Sequence, residues 1–89
     1  MRFVLDGGSV GNRETLHRVL AAGLQFPDWY GGNLDALFDA LTDICEPLEL
    51  TVTSFSDLTE RLGSYADAFR RVLLRAGQES SNLTVAIHQ

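Results

Sequence analysis

Not one lysine occurs among the 89 residues, and cysteine occurs once, at Cys45. A lone cysteine rules out an intramolecular disulfide, which favours a reducing compartment and makes the cytoplasm the expected location. The thiol itself reads as a small filler near a helix end rather than a reactive group. Long apolar runs are missing too. The longest, such as 19–22 and 72–74, span a few residues, against the ~20 that a membrane span needs. The N-terminal MRFVLDGG meets a charge and a turn too early for a secretory signal. Repeats, low-complexity tracts and linker-like stretches are absent, so one domain over residues 1–89 is expected.

Basic charge is missing from the middle of the chain. All seven basic residues are arginine and none falls between Val19 and Glu60, where eight of the twelve acidic residues lie. A one-sided acidic segment repels nucleic-acid phosphates, which argues against a DNA or RNA partner. It suits a basic protein partner, although a solubilising surface accounts for the same charge. Against these gaps, the composition is 45% hydrophobic and 21% charged. That is the balance of a globular domain and not of a disordered one.

The patterning predicts seven elements. Residues 2–6, RFVLD, read as a buried strand closed by Gly7-Gly8. Asn12 can cap a helix whose apolar positions are Leu16, Val19, Leu20 and Leu24, with Pro27 as its stop. Asn33 caps a second helix with Leu34, Leu37, Leu41 and Ile44 on one face and Ala40 beside them, stopped by Pro47. Residues 48–54, LELTVTS, alternate as a strand. Residues 55–62 make a short helix with Phe55, Leu58 and Leu62 inward, ended by Gly63. Ser64 opens a longer helix in a capping-box-like S-Y-A-D pattern. Its inner face is Tyr65, Ala68, Phe69, Val72, Leu73 and Ala76, and Gly77 suits its end. Residues 83–88 form the last strand. The order β-α-α-β-α-α-β predicts an α/β fold: a small three-stranded parallel sheet, joined by right-handed crossovers and packed with about four helices. Phe3, Leu5, Leu50, Val52, Val85 and Ile87 face the helices. No apolar stripe is left over once this core is assigned, so the free chain is expected to be a monomer.

One stretch stands out, WYGGNLDALFDALT, residues 29–42. On its helix Asp35, Asp39, Thr42 and Asp43 share a side opposite the leucines, with Phe38 between the two groups. The helix dipole favours Asp35 in the first turn, gives Asp39 little and opposes Asp43. Like charges four residues apart repel by a few tenths of a kcal/mol, and no basic residue stands three or four positions away to relieve them. Spacing alone fits either a solvated face or a face that binds cations. Phe38 favours the second, since an aromatic beside exposed carboxylates is typical of an interface anchor. Trp29 and Tyr30 are neighbours, so both cannot easily point inward. Gly31 and Gly32 give the loop a tight turn and let a partner come close.

Other chemistries fit poorly. Asp35 and Asp39 have no EF-hand loop and no histidine near them to hold a metal. Paired carboxylates can hydrolyse glycosides, but so short a chain has no room for a sugar cleft. His17 and His88 lie far from any candidate nucleophile and read as structural or solvated. Gly7, Gly8 and Gly11 match no phosphate-binding loop. No cofactor is implied.

The run FPDWYGGNLDALFDALT, residues 26–42, resembles the signature of the barstar family, intracellular inhibitors of secreted microbial ribonucleases. A looser likeness covers the whole chain: its length, the first strand ending at an Asp-Gly turn, Leu16-His17 in the first helix and an apolar last strand. The resemblance implies the three-stranded parallel sheet derived above. It implies an inhibitor and not an enzyme, acting one-to-one by laying the second helix and the loop before it over a ribonuclease active site. Asp39 then takes the place of a substrate phosphate and Asp35 matches a second acidic contact. Trp29 stands where the family usually has Tyr. Asn33, Leu34, Phe38, Thr42 and the backbone at Gly31 match further contact positions. Phe38 replaces a more usual Trp, and Asp43 and Ile44 also depart from the family's best-known member. In the fourth helix that member has a Glu facing the enzyme, where Arg75 falls here; Glu79 matches a second acid. An arginine there puts the identity of the target in question. Two other readings stay open: a module of the same fold that binds a different basic protein or toxin, and a small enzyme using Asp35 and Asp39.

Overall fold

The computed structural model describes every residue from Met1 to Gln89. The elements are β1 (Arg2–Asp6), a 3-10 turn (Gly7–Ser9), α1 (Arg13–Leu24), α2 (Leu34–Thr42), β2 (Leu48–Thr53), α3 (Phe55–Leu62), α4 (Ser64–Glu79) and β3 (Leu83–Ile87). The strands form one parallel sheet in the order β1-β2-β3. With four helices beside three strands, the fold is the α/β arrangement that the alternation of elements predicts.

The alternation within the strands decides the layering. Phe3, Leu50 and Val85 stand in register across the sheet, as do Leu5, Val52 and Ile87. Side chains alternate between faces along a strand, so these rows share one face. That face packs on the helices, with Leu5, Leu48, Leu50 and Val52 buried. The other face carries Arg2, Glu49 and Thr84 in one row and Val4, Thr51 and Ala86 in the next. Arg2 pairs with Glu49 there at 3.0 Å, and Val4 stays 54% exposed. Parallel sheets are usually covered on both faces. Here the L-E-L-T-V-T alternation of the central strand leaves one face polar enough to meet water.

The helices follow their caps and stripes. Asn12 Oδ1 accepts from Thr15 N–H at 2.8 Å, and Asn33 Oδ1 accepts from Ala36 N–H at the same distance. Leu16, Leu20 and Leu24 of α1 and Leu37 and Leu41 of α2 are buried. Burying a leucine contributes about 1.5–3 kcal/mol, which outweighs the charge repulsion along α2. In the element order, α2 packs on α4 and α3 on both α4 and the 3-10 turn.

Several boundaries differ from the sequence reading. The first helix ends before Pro27: Gln25 turns into the left-handed region at φ 58°, and Phe26 N–H closes on Ala21 C=O at 2.9 Å. The second helix stops at Thr42, well short of Pro47, and Ile44 packs against the core from beyond its end. The middle strand ends at Thr53 and the last at Ile87. Ser64 does not cap α4. Gly63, at φ 59°, closes α3 and opens α4 at once, which leaves no extended residue whose side chain can cap. Gly77 does not end α4 either: its φ is not positive, and the helix runs on to Glu79. The inner line of α4 is Ala66, Phe69, Leu73 and Ala76; Ala66 was not expected there, and Tyr65, Ala68 and Val72 flank the line half-buried.

Candidate functional site

The loop from Phe26 to Asn33 is built so that one aromatic goes in and its neighbour goes out. Tyr30 N–H donates to Pro27 C=O at 2.9 Å, which closes a turn over the two residues between. The Tyr30 ring lies against Phe26, centroids 4.8 Å apart, and its hydroxyl reaches His17 Nδ1 at 2.7 Å. Trp29 is left 82% exposed, the most exposed large apolar side chain of the chain. Gly32 adopts φ 68°, a left-handed conformation that costs a residue with a side chain energy. The chain then straightens at Asn33, which caps α2.

His17 was expected to be structural or solvated, and its place is more specific than that. It is 5% exposed, with Tyr30 Oη on Nδ1 at 2.7 Å and Tyr65 Oη on Nε2 at 2.6 Å. It thus ties α1, the loop before α2 and α4 together. Burial lowers its pKa, so the ring is neutral. A neutral imidazole has one donor and one acceptor, so one tyrosine accepts from it and the other donates to it. Burial also raises both tyrosines above the usual phenol value; for Tyr30 the nearby Tyr65 adds to the rise, and for Tyr65 the Arg13 charge opposes it. Arg13 lies over the Tyr65 ring, 4.5 Å from its centroid.

On α2 the three acids are exposed, Asp35 and Asp39 on the helix and Asp43 at its C-cap. None is ion-paired: the two ion pairs of the chain are Arg2 with Glu49 and Arg71 with Asp67. Thr42 turns its hydroxyl back on its own helix, to Phe38 C=O at 2.9 Å and Asp39 C=O at 3.2 Å. Leu34 is half-buried against the core. Phe38 is half-buried as well, and the Arg75 guanidinium of α4 lies over its ring, 4.7 Å from the centroid. Such a contact at the surface contributes about 0.5–1 kcal/mol.

Between the loop and α2 runs a cleft of about 460 Å³. Its apolar lining includes Phe26, Ala40 and Ile44; Trp29 and Gly31 stand on the loop side, Asp39 and Asp43 on the helix side. An apolar trough with an aromatic wall and two carboxylates suits a cationic side chain with an apolar stem, such as an arginine. Asn33, Leu34 and Asp35 line a separate, more polar recess with Arg13 and Tyr65. The structure therefore brings Trp29, Gly31 and Asp39 together at one cleft, Asn33, Leu34 and Asp35 at the next, and Phe38 beneath Arg75. Glu79, the remaining expected contact, is exposed on the last turn of α4 and makes no hydrogen bond or ion pair. No group of three or more His, Cys, Asp or Glu residues could hold a metal ion, and no helix is long and apolar enough to cross a membrane.

The chain is similar to known proteins. The family model described as Barstar (barnase inhibitor) matches residues 1–88. A Bacillus subtilis (strain 168) protein named "Putative ribonuclease inhibitor YrdF" is 43% identical over 79 residues, which cover 88% of this chain and 87% of that protein. The match includes the acidic helix, its loop and all three strands, and on it the chain belongs to the barstar family.

Proposed function

We propose that this chain inhibits a basic microbial ribonuclease or toxin of the barnase type. It is not an enzyme, acts in the cytoplasm as a one-to-one complex, and is monomeric when free. The loop and α2 lie over the enzyme's active site, with Asp39 where a substrate phosphate would bind. Trp29 and Phe38 flank it, and Asp35, Asn33, Leu34, Thr42, Gly31 and Glu79 complete the contact. One observation carries this reading: three exposed carboxylates on α2 have no basic partner in the chain, and two of them border a cleft shaped for a cationic side chain.

The energetics fit an inhibitor. Unpaired acids cost the free chain little, because water solvates them. Docked against arginines and histidines they lose that water and gain charge-assisted hydrogen bonds. The standard example of such a desolvated acidic contact is the barnase–barstar complex itself, so its size, at least about 2 kcal/mol, is carried over from the family. The test is a titration of barnase activity with the purified chain, alongside any secreted ribonuclease encoded next to its gene. Inhibition that saturates at one equivalent is the expected result. No inhibition of either enzyme, with binding indifferent to Asp39→Ala, would contradict it.

A further inference from the structure

We propose that Arg75 determines specificity on the docking face, and that the cognate enzyme presents a carboxylate to it. This rests on the reading above that α2 is the docking face. Arg75 covers the ring of Phe38, so a partner that touches Phe38 from solvent also meets the guanidinium. On the same face α2 carries Asp35, Asp39 and Asp43, and the other cation there, Arg13, stands beside Asp35 over the Tyr65 ring. Within the chain, no carboxylate neutralises the Arg75 charge. Glu79 stands one turn further along α4, yet no ion pair joins the two. The order explains this: an acid placed before a base four residues on pairs well along a helix, and the reverse order pairs poorly. Asp67 and Arg71, in the favourable order, do approach to 3.8 Å. Arg75 turns to the aromatic ring instead.

That choice has a consequence for binding. A guanidinium lying on a ring has lost much of its freedom, and its N–H groups lie at the edge of its plane. None of them donates a hydrogen bond within the chain. A docked partner strips water from them, so it must supply acceptors or the complex bears the cost of buried unpaired donors. A carboxylate meets the fork with two parallel hydrogen bonds and also cancels the charge. A ribonuclease whose rim is cationic throughout sets like charges against Arg75 and is rejected. The face therefore asks for a mixed pattern, cations opposite Asp39 and an acid opposite Arg75, and it discriminates by what it repels as well as by what it attracts.

The experiment uses barnase as the probe. Its dissociation constant is measured against the wild-type chain, Arg75→Ala, Arg75→Glu and Asp39→Ala. A panel of barnase variants, each with one surface Lys or Arg changed to Glu, is then measured against the wild-type and Arg75→Glu chains. Arg75→Glu is expected to bind unaltered barnase at least about tenfold more tightly than wild type, with Arg75→Ala between them. At least one barnase variant should tighten about tenfold on the wild-type chain and loosen on Arg75→Glu. Equal affinities of the wild-type, Arg75→Ala and Arg75→Glu chains overturn the proposal, as does a panel that ranks identically on both chains. If Asp39→Ala still abolishes binding in either case, the docking reading survives without Arg75. Binding indifferent to Asp39, or none by any chain, overturns both.

Discussion

His17 shows how a single side chain can decide the posture of a whole loop. Its two ring nitrogens are both occupied by tyrosine hydroxyls in a nearly closed pocket. A proton on the ring forces both nitrogens to donate, so one tyrosine loses its acceptor, and the charge is buried. The folded-state pKa therefore lies below the unfolded value of 6.5. The unfolded chain binds the proton more readily, so this contribution to stability is complete above about pH 6.5 and fades as pH falls from there to the lowered folded value. Urea unfolding at a series of pH values should show wild-type stability declining below pH 6.5. His17→Gln should be less stable at neutral pH, by about 1–3 kcal/mol, and flatter across that window. Almost none of this is legible in the sequence. Positions 17, 30 and 65 share no period, and a histidine next to a leucine gives no sign of what lies across the fold. The exposure of Trp29 was half legible: two adjacent aromatics had to diverge, but only the bond from Tyr30 to His17 settles which one turns inward.

At the scale of elements, the acidic helix is short and depends on its cap. The nine residues of α2 fall below the ~12–15 at which an isolated helix is even marginal, so the Asn33 cap and the burial of Leu37 and Leu41 hold it. Asn33→Ala removes the bond to Ala36 N–H and should cost about 0.5–2 kcal/mol in thermal or chemical unfolding. It should also weaken binding to the ribonuclease, because a frayed first turn misplaces Asp35. The existence and type of every strand and α-helix were readable from periodicity, since burial enforces that pattern locally; the 3-10 turn at Gly7–Ser9 was read only as the close of the first strand. Element ends were not readable. Pro27 and Pro47 mark where helices can no longer run, but α1 and α2 stop earlier. Gln25 turns left-handed at the end of α1. Past Thr42, the Asn82 side chain draws Ile44 C=O towards β3 at 3.3 Å. Gly77 carried the look of a terminus and yet stays helical, because a glycine permits a left-handed turn without requiring one. The pairing of Arg75 with Phe38 joins α4 to α2, a contact that depends on how the two helices pack.

For the molecule as a whole, charge and stability are divided between different surfaces. The helix-covered face of the sheet and the leucine stripes hold the fold. Of the acids of α2 only Asp35, in the first turn, gains from the helix dipole; none is ion-paired, and they repel one another. A face that costs its owner stability is best understood as kept for a partner. The fold class was visible in the alternation of strands and helices along the chain, and the acidic helix and its loop in residues 26–42, where one short run carries the cap, the stripe and the acids together. The direct measurement is on Asp39→Ala, with folding stability and affinity for the inhibited ribonuclease determined on the same preparation. Relief of repulsion from Asp35 and Asp43, and the better helix propensity of alanine, should leave the free variant as stable as wild type or about 0.5–1 kcal/mol more so. Its affinity should fall at least thirtyfold, which corresponds to about 2 kcal/mol. A variant that unfolds more readily, or binds as tightly as wild type, would contradict the division of labour between core and acidic face.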